Sequence, residues 1–215
     1  MAVIFDLDNC LAPATAVGEA LYAPAFAAIR MANDGSVSTD ALALAFKHMW
    51  THAYDWVAER YGFTPAMRTA GGQALAGIEV TGCLAGYEDL DLLGSVPGTR
   101  FLVTTGWRRL QESKIRALGI AAQFREILID AIDEPQRRGK AELFQHIVSL
   151  HALSSTQVVV VGDNPDSELA AARQTGLPAV QMLRPGVERS AATAECVSGL
   201  RELIQWLGAH GREAG

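Results

Sequence analysis

The chain has 215 residues, 49% hydrophobic and 20% charged, so it can bury a sizeable core as one domain, or as a domain with an insertion, and it excludes a disordered chain. Its net charge of −6 gives no general attraction to a nucleic acid polymer or an anionic membrane, so an anionic partner must be held by local charges. No run approaches the roughly 18 apolar residues of a membrane helix, and the first residues lack the basic stretch of a signal peptide. Cys10, Cys83 and Cys196 form no metal-ligand pattern and leave one cysteine unpaired, which fits a reducing, cytoplasmic setting.

The first element is the run Ala2-Val3-Ile4-Phe5, which leads straight into Asp6-Leu7-Asp8-Asn9. So short and uniformly apolar a run predicts a strand buried on both faces of a parallel sheet. Residues i and i+2 of an extended chain point the same way, so Asp6 and Asp8 share one space at the strand's carboxyl end, where open α/β sheets bind ligands. Residues 13 to about 90 then show helical periodicity and no strand-like run. A helix is predicted from about Ala16 to Met31, and a second from about Thr39 to Tyr61 with Leu42, Phe46, Met49, Ala53, Trp56 and Val57 on one stripe. A shorter helix should follow Pro65, a favoured first helical residue.

From about Pro97 strands and helices alternate. Phe101–Thr104 precedes a helix from about Trp107 to Leu118, Glu126–Ile129 precedes one from about Lys140 to Leu150, and Val158–Val161 precedes one from about Asp166 to Thr175. A last strand is expected over Pro178–Met182, with a tail helix carrying Val197, Leu200, Leu203, Ile204 and Leu207. This alternation predicts right-handed crossovers and a Rossmann-like parallel sheet with helices on both faces, plus a small inserted all-helical unit.

Three further features fall at strand ends. Thr104-Thr105-Gly106 offers hydroxyls and backbone N–H groups at a helix start, which reads as a phosphate site or as a plain N-cap. Asp163, with Asp166 and Glu168 close behind, reads as an acidic centre or as another capped helix start. Lys140 opens a helix where the dipole opposes a cation, so it reads as a solvated lysine or as one facing an anion.

In this order, with a helical insertion between the first and second, these features resemble the haloacid dehalogenase superfamily over nearly the whole chain. Asp6-Leu7-Asp8 matches its first motif, Thr104 its second, Lys140 its third, and Gly162-Asp163 with Glu168 its fourth. The resemblance implies a core of residues 1–12 and 91–215 and a helical cap over 13–90. It implies Asp6 as nucleophile, Asp8 as acid/base, Thr104, Thr105 and Lys140 as phosphate-binding groups, and Mg²⁺ held by Asp6, the main-chain carbonyl of Asp8, Asp163 and, through its surroundings, Glu168. The expected activity is hydrolysis of a small phosphorylated metabolite. Family members acting on carbon–halogen bonds are expected to lack an acid at Asp8, since halide leaves without a proton. Cys10 and Glu168 depart from the family's usual Thr or Val and Asp, and a thiol is the poorer hydrogen-bond donor.

Asn9 is similar to the subgroup containing pyrimidine 5′-nucleotidases, on one residue alone. His48 and His52 stand one helical turn apart and could bind a metal, but a helix needs a polar face and they read as part of it. Trp50, Tyr54 and Trp56 read as core. The rival class is a phosphoacceptor domain of response-regulator type, which also joins Asp, Thr or Ser, and Lys on a parallel sheet. That class needs no helical insertion, and its acceptor lies on the third strand.

Overall fold

Ala2–Phe5 forms β1, and all four residues are buried. In the computed structural model, which describes residues 1–192 and 195–210, β1 lies in the middle of a six-stranded parallel sheet. The remaining residues of the expected 91–215 core segment lie outside the described residues. The other strands are β2 (Thr99–Gly106), β3 (Glu126–Ala131), β4 (Val158–Gly162), β5 (Ala179–Met182) and β6 (Cys196–Val197), in the spatial order β3-β2-β1-β4-β5-β6. Ala2 aligns with Thr99 on one side and Val158 on the other, so β1, β2 and β4 start level with one another.

The uniform hydrophobicity of β1 follows from its two covered faces. Val3 and Phe5 pack with Leu102, Val159 and Val161 against α5 (Arg108–Leu118) and α8 (Leu200–His210). Ala2 and Ile4 pack with Phe101, Val158 and Val160 against α6 (Gly139–Leu150) and α7 (Glu168–Thr175). Strand alternation thus divides one apolar run between two helical layers. β6 is only two residues long, too short for any periodicity to announce it.

Between β1 and β2 stand α1 (Glu19–Ala32), α2 (Thr39–His48), α3 (Tyr54–Arg60) and α4 (Pro65–Ala76), around a separate hydrophobic cluster that includes Ile29, Phe46, Val57, Met67 and Leu75. Ser38 caps α2 by accepting from the Ala41 N–H, and Thr64 caps α4 with Pro65 in the first turn. α1 and α4 touch through Gly71, where a Cβ would fall 2.3 Å from the Tyr54 hydroxyl and 2.7 Å from Ile29. A glycine inside a helix is therefore required there by close approach.

The helix expected over 39–61 is broken in two at Met49–Ala53. Leu42, Phe46, Met49 and Val57 of the expected stripe are buried in the same cluster, whereas Ala53 is only half-buried and Trp56 is exposed, and the backbone between has other partners. The Trp50 carbonyl accepts from Asn9 Nδ2 at 3.1 Å, and the Thr51 carbonyl accepts from Asn164 Nδ2 at 2.9 Å. These side chains after β1 and β4 satisfy carbonyls that a continuous helix would have used, which removes the need for the helical bonds there. Trp50, Thr51 and His52 are in any case indifferent helix formers.

Asn9 itself adopts a left-handed φ of 57°, and its Oδ1 accepts from the Ala14 N–H at 3.1 Å. Asn tolerates that conformation better than most residues. Asn9→Ala should lower the unfolding free energy by about 1–3 kcal/mol through two lost hydrogen bonds and the strained φ. A urea melt with an unchanged midpoint would contradict this.

Candidate active site

The sheet register delivers the acids. The Asp6 N–H donates to the Val161 carbonyl at 2.9 Å, so the chain is still in line with β4 when the apolar run stops. Asp163 follows the end of β4, and Glu168 is the first residue of α7. Carboxylate oxygens of Asp6, Asp163 and Glu168 lie within 4.8 Å of one another, and all three residues are buried. Gly162 makes room for this, because a Cβ there would meet the Glu168 side chain at 2.5 Å. Glu168 also accepts from the Asn164 N–H at 3.2 Å and the Ser167 hydroxyl at 2.7 Å.

Lys140 enters from the start of α6. Its Nζ donates to Asp6 Oδ1 at 2.7 Å and also to Glu168. One ammonium faces three carboxylates, so negative charge remains unbalanced in a buried space. Burial first, and then the charge of Glu168, push Asp6 up to about 7 and Asp163 up to about 9. An all-oxygen cluster short of positive charge is what a hard divalent cation such as Mg²⁺ requires, so these residues fit the metal that the sequence implied.

The same shifts fix a pH dependence. A carboxyl whose pKa is raised by folding contributes stability that is complete below its unfolded value and lost as pH rises through its folded value. In chelator, the melting temperature should therefore fall as pH rises from about 4 through about 7 to about 9, the windows of Asp6 and Asp163. Lys140, raised above its ordinary value, does not titrate there. Added Mg²⁺ should raise the melting temperature most at the alkaline end. Calorimetry giving a flat pH profile in chelator would count against this charge balance.

Asp8 turns elsewhere. Both its carboxylate oxygens accept from Lys114 Nζ, at 2.8 and 2.9 Å, and Oδ2 also accepts from Gln111 Nε2 at 3.0 Å. Thr104 is buried and accepts from the same Gln111 amide at 2.8 Å. The Thr105 hydroxyl faces away, donating to Asp130 Oδ2 at 3.2 Å. Asp130, buried at the end of β3, also accepts from Arg137 Nε at 2.8 Å and the Gly139 N–H at 2.9 Å, which fixes the loop carrying Lys140. Arg137 reaches on to Asp55 at the start of α3.

The structure thus gathers Asp6, Lys140, Asp163 and Glu168, sets Asp8 and Thr104 side by side on Gln111, and engages the Thr105 side chain with Asp130. Gln111, Lys114, Asp130 and Arg137 were not found by sequence reasoning. A signal existed for Lys114, since it interrupts an apolar row of Leu110 and Leu118 at i, i+4 spacing on one face of α5. Asp130 gave none, being one acid at the end of one more strand.

All of these acids open on a cavity of about 810 Å³ roofed by the helical unit, with Tyr22, Trp50, His52 and Trp107 in its wall. His52 stacks on Trp56 with ring centres 4.0 Å apart, while His48 Nδ1 lies 2.9 Å from the Tyr61 hydroxyl. His48 also lies 5.5 Å from the His52 ring and 6.1 Å from Trp56, so the two histidines belong to one aromatic cluster. Cys10 is buried with its thiol pushed well up by that burial, so it is an inert core residue. Among the described residues no helix is long and apolar enough to cross a membrane.

A parallel sheet in this order, with buried acids and a lysine converging at its carboxyl edge, defines a Rossmann-like α/β fold with its polar site at the strand ends. The model of the haloacid dehalogenase-like hydrolases matches residues 1–176, and the chain belongs to that family. No curated protein sequence matches it. Among solved structures it is similar to the magnesium-bound HAD-hydrolase YfnB from Bacillus subtilis (16% identity, 96% of this chain and 97% of that one, TM-score 0.62). It is also similar to a HAD phosphatase from Thermococcus onnurineus (17%, 96% and 97%, 0.63). A third is the L-2-haloacid dehalogenase from Xanthobacter autotrophicus with chloropropionic acid covalently bound (13%, 96% and 98%, 0.60). At these identities the likenesses speak to the fold, and phosphatase and dehalogenase both occur among them.

Proposed function

We propose that the protein is a Mg²⁺-dependent phosphatase that hydrolyses a small phosphorylated metabolite through an aspartyl-phosphate on Asp6. The observation that carries this reading is the second carboxylate, Asp8, standing in the same cavity as Asp6 and beside Thr104. An alkoxide leaving group needs a proton, and a halide does not.

Asp6, Asp163 and Glu168, with the main-chain carbonyl of Asp8, would hold the metal, whose charge offsets the repulsion between a carboxylate nucleophile and a phosphate. Lys140 and Thr104 hold the phosphoryl oxygens. An Asp6 oxygen attacks phosphorus, the bond from phosphorus to the ester oxygen breaks, and that oxygen takes a proton from Asp8. Water then attacks phosphorus and gives its proton to Asp8, and the bond to Asp6 breaks to release phosphate.

Residues 13–90 act as a cap, held to the core by Asn9, Asn164 and Arg137 and supplying the wall against the leaving group. A cavity of about 810 Å³ suits a metabolite rather than a polymer. Asn9 is occupied by the backbone of residues 14 and 50, so it shapes the chain after β1 rather than reading a nucleobase.

The test is a release screen with Mg²⁺ over nucleotides, sugar phosphates, phosphoglycolate and 2-haloacids. Many phosphates per chain from at least one ester, and no halide, is the expected result. Halide release without phosphate would assign the dehalogenase chemistry, and one phosphate retained per chain would assign a phosphoacceptor domain. Activity should vanish in excess chelator, and Asp163→Ala should raise the Mg²⁺ concentration for half-maximal rate at least about tenfold. Full turnover in chelator would refute the metal requirement.

A further inference from the structure

We propose that Lys114 and Gln111 are positioning residues that hold the Asp8 carboxylate away from the Asp6–Asp163–Glu168 cluster, in the pose from which it exchanges protons with the leaving group. The inference rests on the phosphatase reading above. Asp8 lies two residues from Asp6, so without an opposing contact a cation bound among the three buried acids would draw in this fourth carboxylate as one more ligand. A carboxylate ligating metal is not placed to protonate an ester oxygen. The opposing pull comes from Lys114, whose Nζ donates to both Asp8 oxygens at 2.8 and 2.9 Å with its side chain only 5% exposed.

Fold stability alone does not call for a lysine at 114. Apolar residues in place of both Lys114 and Asp8 would continue the row of Leu110 and Leu118 with no buried charge, and replacing a whole buried pair in this way is often neutral or stabilising. Its surroundings are Asp8, the Tyr22 hydroxyl from α1 and, further off, Asp6. Both of its hydrogen bonds among the described residues go to Asp8.

Gln111 fixes the second direction. Its Nε2 donates to Asp8 Oδ2 at 3.0 Å, Thr104 Oγ1 at 2.8 Å and the Thr105 carbonyl at 2.9 Å. Its own Oε1 is buried without a partner. Turning the amide over would place that oxygen against a carboxylate and a carbonyl, so the orientation is set by what the amide donates. Asp8 is thereby tied through one amide to Thr104, a residue of the phosphoryl clamp. The pair of residues at i and i+3 on α5 forms a cradle for one carboxylate.

The experiment is a double-mutant cycle of Lys114→Met with Asp8→Ala, run on glycerol 2-phosphate and p-nitrophenyl phosphate with Mg²⁺. Lys114→Met should lower kcat on the alkyl ester about 10²-fold or more and on the aryl ester less than about tenfold, with KM changed little, because only the alkoxide depends on a placed acid. In the Asp8→Ala background the same substitution should cost no further activity. Equal losses on both esters, or a full further loss in that background, would overturn the proposal, since a merely structural lysine damages every substrate and every background alike. If Lys114→Met does not fold, Gln111→Met removes one hydrogen bond and leaves the ion pair, and it should show a smaller loss with the same alkyl bias. Failure of the phosphatase reading registers separately, as a wild type that releases no phosphate or an Asp8→Ala enzyme without leaving-group bias, and it overturns this proposal too.

Discussion

Asp6→Asn is expected to yield a folded protein whose turnover is lower by at least about 10⁴-fold, the scale seen when a covalent nucleophile is removed. An amide oxygen does not attack phosphorus, and the other carboxylates are engaged: Glu168 with Lys140, Ser167 and the Asn164 N–H, Asp8 with Lys114 and Gln111, while Asp163 would be taken by the metal. The fold should not suffer. Asn keeps an acceptor for Lys140 while removing one of three clustered negative charges. Asp6 is pushed up to about 7, so its ionised form destabilises the metal-free protein above that pH. In chelator the variant should therefore melt at the wild-type temperature near about pH 4 and increasingly above it as pH rises through about 7. A lower melting temperature at high pH would mean that the Asp6–Lys140 pair outweighs the repulsion. Retained turnover would remove Asp6 from the chemistry.

The features legible in the sequence share a physical cause. β1 and β4 are uniformly apolar because helices cover both faces, and the chemistry begins at the residue where each run ends. Asp6 and Asp163 could be found from that rule alone. Thr104 and Lys140 could be found too, since each lies where a strand hands over to a helix. All of these depend only on short-range order along the chain.

The unread part is long-range. Nothing near residue 114 indicates that Asp8, 106 positions earlier, will meet it. Asp130 likewise gains its meaning from Thr105, Arg137 and Gly139, which converge on it only when β3 pairs with β2. The broken helix at Met49–Ala53 has the same origin, because the competing partners of its carbonyls are Asn9 and Asn164 in the core. Helical periodicity recorded most of the buried face, misplaced Trp56, and could not report that two carbonyls had been taken.

Asp8→Ala should separate the two chemical steps by the basicity of the leaving oxygen. Protonation by a placed acid contributes about 10² to 10⁴ in rate, and that contribution matters when the departing group is a strongly basic alkoxide. The phenolate of p-nitrophenyl phosphate is stable near neutral pH and leaves without help. Phosphoenzyme formation from an alkyl phosphate should thus fall by about 10² to 10⁴, while formation from the aryl ester changes far less. In the second step Asp8 also takes the proton from the attacking water, and that step is common to both substrates. The aryl ester should then give a burst of about one p-nitrophenolate per enzyme followed by slow turnover, the sign of an accumulating covalent intermediate. The alkyl ester should give none, its first step having become the slower one. The substitution leaves Lys114 as a buried ammonium without its partner, so the variant should also lose stability, by about 3–5 kcal/mol for a broken buried pair at most and less here because Asp8 is 25% exposed. Rapid-quench measurements made well below its melting temperature keep the two effects apart. Equal first-step losses on both esters, with no burst, would mean that Asp8 serves only to hold Lys114 and the metal site in place.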